Sequence, residues 1–343
     1  MMGKNLLIHC GVLSVMASPN PAELSPVLYL TEQDVRQLLP MSLALEAVEA
    51  GLRKMALDEA HLIPRQRVVT DHAVLHSMGA AAKSLGYMGT KVYSTTRKGH
   101  SQFLVTLFHG KTGQLLALIQ ADVLGQIRTG AASGLASRVM ARPDASEVGI
   151  LGSGKQARTQ LEAVCLVREV QRVSVYSPTP EHRQAFAIAM SQHCGVEVVP
   201  VARPEDAVRG KDIVITATTS REPVLQGQWL APGTHVNAIG SNMMGRTELD
   251  VESFRRCADV IVDSKDQARS EAGDFQQAIE EGVLHWSDIR ELGQVLLGRY
   301  AVRKQAPDIT IFKSLGIAIE DIAVAGRVYE RAKEAGVGQT LVW

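Results

Sequence analysis

The six residues GSGKQA, at 152–157, restrict this chain's architecture more than any other stretch. They follow a short apolar run, Val148–Leu151, and lead into a helix-like segment, Gln156 to Val167. Gly152, Gly154 and Ala157 then occupy the GxGxxG/A positions of a dinucleotide-binding strand–turn–helix. Gly152 would make the tight turn, and Gly154 would let the backbone approach a pyrophosphate. Ala157 would let the helix pack on the strand, with its N-terminus facing the anion. The strand-before, helix-after context argues against a glycine turn that binds nothing.

The texture around this turn fixes the wider organisation. With 343 residues the chain is too long for one ordinary core, so two domains are expected. From Glu147 onward, strand-like runs at Val148–Leu151, Arg172–Tyr176, Ile213–Thr216, His235–Ile239 and Val260–Val262 alternate with helical stretches. That alternation is the mark of βαβ units and a parallel sheet. Before it, residues 27–60 read as a strand followed by helix, with Thr31, Glu32 and Asp34 suiting a helix start. Five short β-rich runs follow, Arg65–Val69, Ala73–Met78, Tyr87–Ser94, Phe103–His109 and Leu115–Ala121, predicting an antiparallel sheet. Arg128 to Met140 reads as a helix of small residues, and Leu315 to Ala335 as an amphipathic helix returning to the first domain. The fold class is therefore α/β, with a Rossmann domain at 137–315 inserted into an α+β domain of 27–136 plus 316–343. Residues 1–26 read as a disordered extension; their lysine, apolar run and small residues also resemble a signal peptide faintly.

Composition excludes several functions. The net charge is zero, so no basic surface points to nucleic acid. No apolar run is long enough for a membrane helix. The four cysteines are scattered, with no CxxC pair, which suits a reducing, cytoplasmic setting and no metal site.

An NAD site usually carries an acid at the end of the second strand, where it binds the ribose. Here the second strand ends at Ser177, with Thr179 and Arg183 close by. Hydroxyls and a cation suit a 2′-phosphate, so NADP(H) is favoured over NAD(H). On the substrate side, Arg65 and Arg67 are two apart on one strand and share a face. Lys91 lies on another strand, and Arg128 opens the small-residue helix in an apolar context where a guanidinium needs an anion. A small carboxylate would serve, because arginine binds carboxylates bidentately. His76, His100 and His109 are acid–base candidates, although a strand-end or surface role explains them as well.

Four segments, IRTGAASGLA, ILGSGKQA, IGSNMMGRTELD and FKSLGIAIEDIAVAG, occur in an order that resembles the ornithine cyclodeaminase/mu-crystallin family. The resemblance spans about residues 27 to 343. It implies a homodimer, with a Rossmann domain inserted into a substrate and dimerisation domain. It implies an NAD(P)-dependent oxidoreductase acting on a small α-imino or α-amino acid. Arg65 (or Arg67), Lys91 and Arg128 match the family's carboxylate anchor, and Ser314 and Gly316 match the segment near the nicotinamide. The cofactor set expected here is Thr129, Gly152, Ser153, Gly154, Gln156, Ala157, Ser177, Thr179, Arg183, Ala217, Thr218, Gly240, Ser314 and Gly316.

The resemblance has one telling departure. Cyclodeaminases carry an aspartate where Asn242 stands, and an acidic residue around His76. The chain thus keeps the anchor and loses the expected bases. Losing ammonia and closing a ring needs a positioned base; reducing a preformed iminium needs a clamped carboxylate and a well-placed hydride. The catalytic set is then Lys91, Arg128 and Asn242, and the activity an NAD(P)H-dependent imino-acid reductase. Ornithine cyclodeaminase, an alanine-type dehydrogenase, and a crystallin-like NADPH binder with little catalysis are the alternatives. Met243 and Met244 are candidates for an adaptable apolar wall, and the loop Thr95–Ser101 for a substrate contact.

Overall fold

A computed structural model describes residues 26–96 and 99–342. The expected N-terminal extension, and part of the loop Thr95–Ser101, fall outside the described residues. The chain begins with β1 (Val27–Leu30), α1 (Glu32–Leu38) and α2 (Met41–Ala56). Thr31 and Asp34 form a reciprocal capping box: the Thr31 N–H donates to Asp34 Oδ2 at 2.9 Å, and the Asp34 N–H donates back to Thr31 Oγ1 at 3.3 Å. Pro40 separates the two helices.

Five strands follow: β2 (Ala60–Val69), β3 (Ala73–Ala82), β4 (Tyr87–Thr96), β5 (Ser101–His109) and β6 (Leu115–Gln120). They form a meander in which neighbours run antiparallel. The sheet is mixed rather than wholly antiparallel, because β1 joins β6 in parallel. Strand β2 starts five residues before the expected run, and a register shift between Ile63 and Gln66 accommodates Pro64.

Helix α3 (Asp122–Met140) leads out of this sheet. It begins six residues earlier than expected, so Arg128 sits in its second turn and not at its start. The reason is a distant cap: the Glu32 carboxylate accepts from the N–H groups of Asp122 at 2.7 Å and Val123 at 2.8 Å. Small residues then let α3 press against the next helix. A Cβ placed on Gly130 would lie 2.4 Å from the Thr159 carbonyl oxygen.

The second layer runs β7 (Glu147–Leu151), α4 (Lys155–Val167), β8 (Arg172–Tyr176), α5 (Pro180–Cys194), β9 (Glu197–Pro200), β10 (Ile213–Thr216) and β11 (His235–Ala238). Then come α6 (Val251–Arg255), β12 (Cys257–Val262), α7 (Lys265–Glu271), α8 (Gly273–Glu280), β13 (Arg290–Glu291), α9 (Leu292–Leu296) and β14 (Ile309–Lys313). These strands form one parallel sheet in the order β13-β12-β14-β11-β10-β7-β8-β9. The strand order reverses direction at β7, so the crevice of a doubly wound fold opens beside its C-terminal end. Strand β14 is not among the expected strands; it inserts between β11 and β12 and delivers Ser314 to the same edge.

The chain closes with α10 (Ala318–Ala335) and β15 (Gln339–Leu341), which pairs with β1. Helix α10 starts at Ala318, not Leu315, because Gly316 is left-handed (φ +73°) and Ile317 is extended. Its apolar face joins α2, α3 and the first sheet in one core containing Leu52, Val105, Ile119, Leu135, Ile319 and Val328. Among the described residues no helix is long and apolar enough to cross a membrane.

Candidate active site

The glycine turn has the geometry its sequence suggests. Gly152 has φ +109°, and a Cβ there would meet the Ala217 carbonyl oxygen at 2.3 Å, so no other residue fits without strain. Helix α4 starts at Gly154 with no side-chain cap, leaving its first amides free for an anion. Nothing lies within 4 Å of where a Gly154 Cβ would be. Ala157 is fully buried against the β7–β8 core. Ser153 is half-buried in the turn itself, and the buried Oε1 of Gln156, one turn along, has no hydrogen-bond partner among the described residues.

Neighbouring loops are pinned by one buried carboxylate. Glu248 accepts from Thr216 Oγ1 (2.8 Å), Thr218 N–H (2.7 Å), Thr218 Oγ1 (2.8 Å) and Gly240 N–H (2.7 Å). It thereby fixes Ala217, Thr218 and Gly240 at the ends of β10 and β11. Ser314 and Gly316 are held likewise by Asp263, which accepts from the Ser314 hydroxyl at 3.3 Å and the Gly316 N–H at 2.7 Å. Burial raises the pKa of both carboxyl groups. At the end of β8, Ser177 is buried, and the Arg183 guanidinium donates to its carbonyl at 2.8 Å. The same guanidinium lies over the Tyr176 ring at 5.8 Å from its centroid. The Ser177 hydroxyl donates to the Thr179 carbonyl at 3.4 Å. These residues fit a nicotinamide dinucleotide: an uncapped helix start, a turn only glycine tolerates, and a serine with an arginine beside it where the usual acid stands.

A cleft of about 440 Å³ runs from this turn to the first sheet. Arg65, His76, Lys91, Arg128, Thr129, Gln156, Gly240, Asn242, Ser314 and Gly316 all line it. Met243 lines it too, whereas Met244 does not; both are exposed, so only one methionine can form the expected wall. His100 and His109 lie elsewhere; His109 serves a turn, its Nδ1 accepting from the Lys111 and Thr112 amides.

The cations are not waiting for a ligand to neutralise them, contrary to the expectation for Arg128. Its Nε donates to Asp321 at 3.0 Å and one Nη to Glu320 at 2.8 Å. Lys91 Nζ donates to the same Asp321 oxygen at 2.7 Å. Arg65 and Arg67 both grip Glu271, the latter at 2.7 Å, as their shared strand face allows. Buried cations without such partners would be very costly. None of these carboxylates is among the site residues expected from the sequence.

Protonation follows from burial. It lowers Lys91 to about 8, with Asp321 opposing the shift. It raises Glu320 to about 8, with Arg128 opposing. Burial also works against ionised Asp321, yet Arg128 and Lys91 together hold it below the ordinary aspartate value. Burial lowers His76 to about 4, reinforced by Arg67 and Arg65. His76 is therefore a neutral imidazole at neutral pH. It stacks on Tyr93 with centroids 4.2 Å apart, and Tyr93 stacks on Phe103 at 4.9 Å.

Asn242 is held at the cleft's edge. Its main-chain oxygen accepts from an Arg67 Nη at 2.9 Å, and its Nδ2 approaches the Leu315 carbonyl at 3.5 Å. It offers an amide that can donate or accept hydrogen bonds and cannot take up a proton.

Residues 27–336 match the ornithine cyclodeaminase/mu-crystallin family. The chain belongs to that family. A Bacillus cereus Delta(1)-pyrroline-2-carboxylate reductase is 33% identical over 324 residues, which is 92% of this chain and 99% of that protein. The structure of the Thermococcus litoralis Delta(1)-pyrroline-2-carboxylate reductase, in complex with NADH and L-proline, superposes with a TM-score of 0.88 at 35% identity. It covers 92% of this chain and 100% of that one. An archaeal alanine dehydrogenase dimer with bound NAD superposes with a TM-score of 0.87 at 34% identity, covering 92% and 99%. For this family member, the cleft between the glycine turn and the cation cluster is the candidate active site.

Proposed function

We propose that this protein is an NAD(P)H-dependent imino-acid reductase acting on a small α-imino acid. One observation carries the reading. Lys91 and Arg128, which converge on a single buried Asp321 oxygen, line the same cleft as Gln156 of the turn segment. Bound at that turn, the dinucleotide supplies the hydride that reduces the C=N carbon.

The chain's own residues do the rest. Each of Lys91 and Arg128 keeps N–H donors beyond those used by Asp321 and Glu320, and these clamp the substrate carboxylate. With its pKa near 8, Lys91 is mostly charged at neutral pH and can still release a proton. Asn242 orients the imine nitrogen without accepting its proton, so the substrate enters as a preformed iminium. Ser314 and Gly316, tied to Asp263, shape the wall where the two reactants meet.

NADP(H) is favoured over NAD(H), because Ser177 offers no carboxylate to the ribose and Arg183 lies beside it. Dimerisation and a cytoplasmic setting belong to the same reading, as does the division into a Rossmann domain at 137–315 and a substrate domain at 27–136 plus 316–343. Oxidation of NADPH and NADH, followed by absorbance with 1-pyrroline-2-carboxylate and 1-piperideine-2-carboxylate, tests the activity. Turnover is expected, with NADPH the better donor. Arg128→Ala should lower kcat/KM at least about tenfold, roughly 1.4 kcal/mol of transition-state stabilisation. An unchanged value would remove the carboxylate clamp.

A further inference from the structure

Tyr93 stands in the middle of a rung of three rings that lines the cleft. It is opposite His76 on β3 and Phe103 on β5, and strand alternation turns all three to the cleft side of the sheet. Its ring lies parallel to the His76 ring, with 1° between the planes and centroids 4.2 Å apart. Phe103 stacks on its other face at 4.9 Å. His76 is tied in turn, its Nε2 meeting the Thr95 hydroxyl at 3.0 Å. Rings stacked from strand to strand stand edge-on to the cleft. The central ring therefore cannot tilt, and the hydroxyl at its tip has a fixed place.

That hydroxyl is unengaged. It makes no hydrogen bond among the described residues and is not one of their buried, unpartnered polar atoms, so it is open to a ligand. Tyr93 and Phe103 also border a hollow beside the cleft. The hydroxyl belongs to the cleft, because the charges acting on it are those of Arg65, Arg67, Glu271 and Arg128. Burial raises its pKa, with Arg65 and Arg67 opposing. At neutral pH it is an uncharged phenol, able to donate and to accept.

Its position matches what the cation cluster lacks. Lys91 is two residues back on the same face of β4, about 7 Å along the strand. The Lys91 Nζ lies 5.5 Å from the Phe103 ring centroid, so the rung adjoins the carboxylate anchor. Hydrogen bonds of about 2.8 Å on either side of an α-imino acid head span roughly that distance. Lys91, Arg65 and Arg128 are donors only. Once they hold a carboxylate, the protonated imine nitrogen beside it still needs an acceptor, and a charged N–H left without one is costly.

Resting on the reductase reading above, we propose that Tyr93 is a further catalytic residue, whose hydroxyl accepts from the protonated imine nitrogen and donates to the adjacent carboxylate oxygen. Asn242 steers the nitrogen from the cleft's edge, and Tyr93 fixes it from within. One hydroxyl holding both groups keeps the C=N in the plane of its carboxylate, with one face turned to the hydride. Tyr93 gives up no proton. Two electrons arrive on carbon as hydride from the reduced cofactor, the C=N π pair becomes the nitrogen lone pair, and the nitrogen keeps its proton.

Tyr93→Phe tests this, because it preserves the stack and removes one oxygen. The first readout is calorimetric binding to the protein with oxidised cofactor. L-proline is compared with tetrahydrofuran-2-carboxylate, which has oxygen in place of the ring nitrogen, and L-alanine with propionate. The wild type should prefer the nitrogen compound in at least one pair, and in Tyr93→Phe that preference should fall at least about tenfold. A residue that merely supports the sheet would weaken both members of a pair alike. The second readout is kcat/KM with 1-pyrroline-2-carboxylate, which should drop at least about tenfold while KM for the reduced cofactor stays put. A Tyr93→Phe protein with unchanged preference would overturn the inference, as would a wild type with no preference in either pair. If no imine turns over, the reductase reading fails, and the binding ratios decide the role of Tyr93 by themselves.

Discussion

Asp321 is the residue on which the cleft's electrostatics turn. One of its oxygens serves Lys91 at 2.7 Å and Arg128 at 3.0 Å, and its other oxygen has no hydrogen-bond partner among the described residues. Burial alone would drive Lys91 toward neutrality; Asp321 is the group that opposes this and leaves the pKa near 8. Lys91 is charged below that value and loses its charge as pH rises through it. Glu320 acquires a negative charge over the same range, beside Arg128. Both changes weaken the hold on a carboxylate, so kcat/KM should fall above about pH 8. Asp321→Asn removes the opposing negative charge and lowers the Lys91 pKa further. The alkaline limb of the kcat/KM profile should then move to lower pH, and chemical denaturation should show a loss of about 3–5 kcal/mol from the broken buried pair. A limb that stays in place would mean that Asp321 does not set the charge on Lys91.

At the scale of elements, the contact between α3 and α4 joins the substrate side to the cofactor side. Arg128 lies on α3, and α4 carries the uncapped start proposed to hold the cofactor. Gly130 holds them at backbone distance, its hypothetical Cβ 2.4 Å from the Thr159 carbonyl. Gly130→Ala should overpack this contact, cost about 1–3 kcal/mol, and weaken dinucleotide binding as α4 shifts. Thermal unfolding with and without cofactor checks it; unchanged stability and an unchanged ligand shift would show the contact to be slack. The sequence announced α4 and its glycine turn because that signal is contiguous. It hid the start of α3, because the cap comes from Glu32, some 90 positions away. It hid β14 because ITIFK is only five residues long and buried throughout, Thr310 and Lys313 included, which periodicity cannot assign. The cations were legible from their strands and small-residue context. Their carboxylate partners stand about 190–230 positions away on other helices, where an acid ordinarily reads as a solvated face. The clue available was Glu320 and Asp321 together inside the apolar run LGIAIEDIAVAG, where two adjacent acids have no solvent to face.

Among the described residues, one large surface of the molecule has no covering element. Helices α2 and α10 cover one face of the first sheet, and the opposite face is apolar and open. Ile63, Val68 and Leu75 are 60%, 65% and 46% exposed, and Val68 and Leu75 are cross-strand partners. Beside them, His61, Leu62, Ile63, Ala81, Met88 and Phe108 line a groove. A contiguous apolar face of this kind is rare on a monomer and marks an association surface. The homodimer reading assigns it to a second copy of the chain. That assignment ties assembly to the site, because Arg65 and Arg67 lie on the same strand as Ile63 and Val68, with their side chains turned the other way. Light scattering of the intact protein should give twice 37.1 kDa. Val68→Asp combined with Leu75→Asp places two charges in the buried centre of that interface and should yield monomers. The monomer's edge strand β2 would be less firmly held, so KM should rise more than kcat falls. A double variant that stays dimeric would place the interface elsewhere, and one that becomes monomeric with unchanged KM would separate assembly from the cleft.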